Sequence, residues 1–179
     1  MSDWPATIWT EAGQITALLG WPPQPDERAP PPRFFEALRA AGRDRDAIRF
    51  LAQALPRFEA VAWAARMVAS QGRAPDPALL AAVTAWLRDP SEAHRRAAGA
   101  VAAARPAASP ARLCAFAAFT AGGSLAPDGA PPFAAPRATA GRFVAGAVLA
   151  AAAEQADPPA ARAAALDAGL LLARQGHQP

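Results

Sequence analysis

Four times in this chain an aspartate or serine stands directly before a proline, at Asp76-Pro77, Asp89-Pro90, Ser109-Pro110 and Asp157-Pro158. Each pair reads as a helix start. The short side-chain oxygen accepts a hydrogen bond from an orphan amide of the first turn, and proline takes the first helical position, where its missing donor costs nothing. Pro56, in QALPRFEAVAW, ends one helix and opens the next, and Gly42, Gly72, Gly122 and Gly176 follow helical runs as C-terminal caps do. This punctuation predicts helices over 33–41, 44–54, 57–70, 77–88, 91–104, 110–121, 138–154 and 159–175, with a weaker first helix over 11–19. No stretch alternates apolar and polar residues over strand length, and β-branched residues are few. The expected fold is all-α, an irregular bundle of about eight helices. Stacked helical hairpins are the alternative, although no residue pattern recurs at a fixed period.

The apolar stripes rank these helices by burial. Leu79, Leu80, Val83, Trp86 and Leu87 share one face, so 77–88 is a surface helix with one side inward. Helix 57–70 carries two apolar faces, Phe58, Val61, Ala62, Ala65 and Val68 on one, Trp63 and Met67 on another. Helix 110–121 does the same with Leu113 and Phe116, then Cys114 and Ala118, and Phe119 between them. Both belong in the middle of the bundle. The alanine-rich helices 91–104 and 138–154 can approach their neighbours closely, because little side chain separates the backbones. Two regions result: a proline-rich N-terminal arm over 1–32 with one weak helix, and an α-helical domain over 33–179.

Charge excludes more than it suggests. The 179 residues are 53% apolar and 18% charged, which rules out a disordered chain. Lysine, tyrosine and asparagine are absent, a bias that fits a GC-rich bacterial genome. The isoelectric point near 10.8 sounds like a nucleic-acid binder. It follows from arginine being the only strong base, and the net charge is just +3. The acids and the proline of MSDWPATIWTEAG do not resemble a signal peptide, and the apolar run at 143–153 is too short to span a membrane. A lone cysteine, Cys114, fits a reducing compartment. The expectation is a cytoplasmic protein that does not engage a membrane.

Catalysis and metal binding find little support. His177 lies at the C-terminus, and His94, in SEAHRRAAG, stands beside two arginines that disfavour its protonated form and leave it on a solvated face. Cys114 has no base nearby in sequence and reads as a small core hydrophobe. There is no cysteine pair, no His-x-x-x-His and no Glu-x-x-His, so no metal or cofactor is expected. Glu59 and then Asp167 are the best isolated carboxylates, and Glu59 is expected to pair with Arg57, Arg66 or Arg49 rather than to perform chemistry. The basic clusters RDRDAIR at 43–49 and HRR at 94–96 read as solvated faces, and no aromatic platform is interleaved with them, so nucleic acid is a disfavoured partner. The chain reads as non-enzymatic.

Two features remain. The run AAFTAGGSLAPDGAPPFAAP takes a helix into Gly122-Gly123-Ser124 and then into a long loop. A phosphate cradle needs its glycines before a helix, so that free amides face the anion; here they follow one, and helix capping is the favoured reading. A loop of this length at 122–136 still suits a small-molecule or anion site. The second feature is the set of five tryptophans. Trp4, Trp9 and Trp21 sit in the proline-rich arm, as interface anchors or as side chains tucked back into the bundle. Together with Trp63, Gly122, Gly123 and Ser124 they are the candidate interaction residues.

The stretch PPRFFEALRAAGRDRDAIRFLAQALPRFEAVAWAARMVAS at 31–70 resembles a bacterial family of unknown function, DUF6931. The resemblance rests on Pro31, Phe34, Leu38, Asp46-Ala47, the run from Phe50 to Pro56, Glu59-Ala60-Val61 and Trp63, and it continues through AVTAWLRDPSEAHRRAAGAVA, FTAGGSLAP and ALDAGLLLARQG. Members often carry two adjacent tryptophans where this chain has Ala62 and Trp63, and a histidine where it has Gln53. The resemblance implies no activity. It suggests an accessory or adaptor role near bacterial secretion systems, type VI in particular. The sequence therefore leads to an adaptor with another protein as partner, with a homo-oligomer open and a small-ligand module at 122–136 as the alternative.

Overall fold

The computed structural model describes residues 4–70, 75–127 and 129–175. Within them the chain runs through α1 (Ala12–Leu19), α2 (Pro31–Ala40), α3 (Asp44–Ala54), α4 (Arg57–Ala69), α5 (Pro77–Arg88), α6 (Glu92–Ala103), α7 (Pro110–Thr120), α8 (Thr139–Ala153) and α9 (Pro158–Gln175). The described residues hold no strand, only an isolated antiparallel bridge between Ser124 and Ala134. The all-α class and the helix boundaries match the sequence reading to within two residues.

Most of the capping signals act as expected. Asp76 Oδ1 accepts from the amide of Ala78 at 2.9 Å, Ser109 Oγ from that of Arg112 at 3.2 Å, and Asp157 Oδ1 from that of Ala160 at 3.0 Å. Asp89-Pro90 differs. Asp89 closes α5, and Ser91, one residue beyond the proline, caps α6 by accepting from the amide of His94. Gly42 takes the left-handed conformation after α2, at φ +67°, as a C-terminal cap should. After α7 the left-handed residue is Gly123, the second of the two glycines expected to end that helix. Gly72, Gly176 and His177 lie outside the described residues.

Helices α4 and α7 occupy the middle, as their double apolar faces predict, and α8 joins them, packing on α3, α4, α7 and α9. Small residues let α8 in: Ala140, Gly141, Ala145, Ala147, Ala151 and Ala152 are all buried. Another close approach lies at Gly169 of α9, where a Cβ would stand 2.7 Å from Leu51 Cδ2 and 2.8 Å from Trp63 Cε2. The α9 backbone therefore rests directly on Trp63, whose indole N–H donates to the Ala165 carbonyl at 2.9 Å. The N-terminal arm packs into the same core through Trp4, Ala12 and Ile15. No helix among the described residues is long and apolar enough to cross a membrane.

Candidate functional site

The α3–α4 junction is an elbow dictated by one residue. Pro56 drives Leu55 into an extended conformation, at φ −70° and ψ 146°, so α3 must stop and α4 must start afresh. The end of α3 leaves carbonyls with no partner inside the helix. The arm supplies them. Thr7 Oγ1 donates to the Ala54 carbonyl at 2.8 Å, and Trp9 Nε1 donates to the Gln53 carbonyl at 3.0 Å. Beside this contact lies a cavity of about 270 Å³, walled by Ile8, Trp9, Leu18, Leu55, Ala60 and the start of α8.

Polar groups enter the cavity from three sides. Gln53, buried at 7% exposure, donates from Nε2 to the Ala138 carbonyl at 2.9 Å. Its amide lies flat against Gly141, where any Cβ would come within 2.5 Å of Gln53 Cδ. Arg57 donates to the Ala121 carbonyl at the end of α7, at 3.0 Å. Arg137 stacks over Trp9 with its guanidinium 4.2 Å from the ring centroid. Two helices, α4 and α8, begin at this cavity, and neither has a side-chain cap. Arg57 and Arg137 line the same space beside these positive dipole ends, and among the described residues no carboxylate does.

The Gly-Gly-Ser loop is built on the opposite polarity. Arg95 of α6 is buried at 3% exposure and reaches under the loop. It donates to the carbonyls of Phe119 and, at 2.7 Å, Ser124, and holds Glu92 through two bonds of 2.7 and 2.6 Å. Arg96 joins Glu92 at 2.8 Å and donates to the Ala126 carbonyl at 3.0 Å. A guanidinium meeting carbonyl oxygens thus fills the place where an anion cradle would present amides. Ser124 Oγ accepts from the amides of Ala126 and Phe133, folding the loop on itself and leaving Phe133 at 62% exposure. Glu92 is held down at about 2, chiefly by its hydrogen bonds from Arg95. Gly123, at φ +62°, has Glu92 Oε2 and Arg95 Nε within 2.8 Å of where a Cβ would stand, so a side chain there would disturb this clamp.

The candidate residues therefore separate. Trp4 is buried against Phe35, edge to face at 5.2 Å, with its indole N–H lacking an acceptor among the described residues. Trp63 is fully buried. Trp9 and Trp21 are half-buried, Trp21 under the guanidinium of Arg43 at 5.8 Å. Ile8, between the two inward-packed tryptophans, is 74% exposed at the cavity mouth. The solvated-face reading of HRR needs correction, since Arg95 is buried. The environment of His94 also differs from the sequence reading: its Nδ1 lies 3.1 Å from both Asp89 Oδ2 and Ser91 Oγ, while the neighbouring arginines point to the loop. RDRDAIR compensates itself as expected, Asp46 pairing with Arg43 at 3.0 Å and Arg49 at 3.3 Å. Asp167 pairs with Arg39 at 2.8 Å. Cys114 is buried, and its thiol is pushed up to about 12 by loss of solvent.

Sequence reasoning missed Thr7, Ile8, Gln53, Arg57 and Arg137 as parts of one site, because residues distant in the chain meet only at the elbow. The Glu92, Arg95, Arg96 clamp carries a local signal, i to i+3 and i+4 spacing on one helix face. Its carbonyl targets, in α7 and in the loop that follows it, carry none.

Fold and site define an all-α bundle whose accessible polar chemistry gathers at helix ends; the described residues include no group of His, Cys, Asp and Glu able to hold a metal ion. The chain belongs to DUF6931, a family of unknown function whose model matches residues 34–173. No curated protein and no solved structure matches it. The match begins inside α2, so it takes in Gln53, Arg57 and Arg137, while the arm that closes the elbow cavity precedes it.

Proposed function

We propose that this protein is a non-enzymatic interaction or adaptor protein of the cytoplasm that engages another protein at the α3–α4 elbow. The observation that carries this reading is the elbow's existing occupant. An extended piece of the arm is already held there through bonds to helix-end carbonyls, beside a cavity with apolar walls. Such a surface recognises a segment by offering helix-end carbonyls to its donor side chains and a pocket to its apolar ones. Ile8 adds exposed apolar area at the rim. The neutral, buried Cys114 supports the non-enzymatic part, since the thiolate is the nucleophile. The accessory role beside a secretion system suggested by the family resemblance is part of the same proposal.

The test is co-purification of the tagged protein from its native cells beside Ile8→Asp, a change at an exposed side chain that spares the core. Loss of a specific, stoichiometric partner in Ile8→Asp supports the elbow as the interface. A partner retained by Ile8→Asp moves the interface elsewhere, and no partner at all removes the adaptor reading.

A further inference from the structure

The elbow cavity does not stand alone. Arg57 borders both this cavity and an open cleft of about 610 Å³ beyond it, formed by Phe58, Trp86, Leu87 and Arg88. Gly141 borders both the elbow cavity and a third hollow of about 370 Å³, where Leu19, Trp21, Arg49 and Arg142 meet. Each outer hollow thus shares a lining residue with the elbow cavity, and the three together are called the trough. Five exposed arginines line it, Arg49, Arg142, Arg137, Arg57 and Arg88, and among the described residues not one Asp or Glu does. Asp46 offsets Arg49 from outside the trough. The other four make no ion pair with any described residue. In a chain of net charge +3, that is a concentrated cationic band over apolar floors.

We propose that this trough docks an acidic, extended protein segment whose bulky apolar side chains enter the hollows while its carboxylates meet Arg57, Arg88, Arg137 and Arg142. The inference rests on the adaptor reading and adds the chemistry of the partner. Charge complementarity selects acidic chain, because guanidinium groups without carboxylate partners attract them and repel basic segments. The uncapped starts of α4 and α8 add to the same field. Hollows walled by Leu18, Leu19, Leu55, Ile8 and Leu87 take aliphatic or aromatic side chains. Single-stranded nucleic acid is disfavoured by the state of the rings. Base stacking needs free aromatic faces, but Arg137 covers Trp9, Arg43 covers Trp21, and Trp86 is buried beside Phe58.

The experiment selects binders from a random 12-residue peptide library on the intact chain. Fluorescently labelled winners, and a labelled single-stranded DNA 12-mer, are then titrated against wild type and against Arg57→Glu/Arg137→Glu. Arg33→Glu/Arg45→Glu, exposed arginines outside the trough, carries the same change in net charge. Arg88→Glu/Arg142→Glu probes the two ends of the trough should the first pair fail to fold. The expected outcome is a consensus mixing Asp or Glu with Leu, Ile, Phe or Trp, bound at least about tenfold more weakly by either trough variant and far less affected in the control, with affinity falling as salt rises. A neutral or basic consensus, or one indifferent to the trough arginines, overturns the acidic partner while a partner lost in Ile8→Asp keeps the adaptor reading. DNA binding that depends on the trough arginines, without peptide enrichment, overturns it in favour of nucleic acid. Failure of both selection and co-purification removes both proposals.

Discussion

Two regions of this molecule use arginine beside a helix end in opposite ways. At the end of α7, Arg95 and Arg96 share the carboxylate of Glu92 and donate to the carbonyls of Phe119, Ser124 and Ala126, so their charge is largely spent inside the fold. At the α3–α4 elbow, Arg57 gives one bond to the Ala121 carbonyl and Arg137 lies over Trp9, and neither forms an ion pair with any described carboxylate. The first arrangement holds a loop in place. The second leaves two cations facing a cavity. The difference teaches that a basic cluster is informative about partners only when its counter-charges are missing.

The comparison breaks most visibly at Arg95. Arg95→Ala removes a buried guanidinium from under the loop, leaving the Phe119 and Ser124 carbonyls without this donor and Glu92 with Arg96 alone, and should cost on the order of 2–3 kcal/mol in chemical denaturation. A loss under about 0.5 kcal/mol, the range of ordinary surface changes, would show that the clamp is ornamental. Acid gives a gentler version of the same break. Glu92 is depressed from the ordinary 4.5 to about 2, with the Arg95 hydrogen bonds as the leading cause. A carboxyl depressed in the folded state stabilises fully above its unfolded value, and that contribution drains as pH falls from about 4.5 towards 2. Glu92→Gln should therefore flatten the pH dependence of the thermal midpoint across that window. An unchanged slope would place the acid sensitivity elsewhere.

At the elbow the stabilising contacts are fewer. Trp9→Phe keeps the ring under Arg137 but deletes the donor to the Gln53 carbonyl. The expected loss is about 1 kcal/mol, the typical worth of one partly buried hydrogen bond. Amide exchange over residues 4–10 should quicken with it. A loss as large as that of Arg95→Ala would mean that the arm is as deeply built in as the clamp.

How much of this was legible depends on range along the chain. Asp76, Ser109 and Asp157 act on amides two or three residues away, so their roles can be read from a dipeptide. Even so, Asp89-Pro90 imitated the pattern while Ser91 took the cap, because a neighbouring serine could reach the same first turn. The central positions of α4 and α7 were legible because two apolar faces demand two neighbours. The arm was not. Trp4 and Trp9 are five residues apart in the same proline-rich segment, yet one is buried on Phe35 and the other lies half out at the elbow, and only α2 and α3 decide between them. Arg95 looked like a solvated charge because its carbonyl partners sit 24 and 29 residues away.

The smallest expected effect on stability is the most telling. Arg57→Glu/Arg137→Glu removes the bond to Ala121 and the stack on Trp9, both at exposed side chains, and no described carboxylate loses a partner. Each new glutamate faces the uncapped start of α4 or α8, where a negative charge is favourable. The two effects oppose each other, and the thermal midpoint should stay close to wild type, within about 0.5 kcal/mol of stability. Groups that the fold can lose at so little cost are not there to hold it together. A drop comparable to that of Arg95→Ala would reverse the contrast, making the elbow arginines structural and leaving only Arg88 and Arg142, at the two ends of the trough, to offer a partner unspent charge.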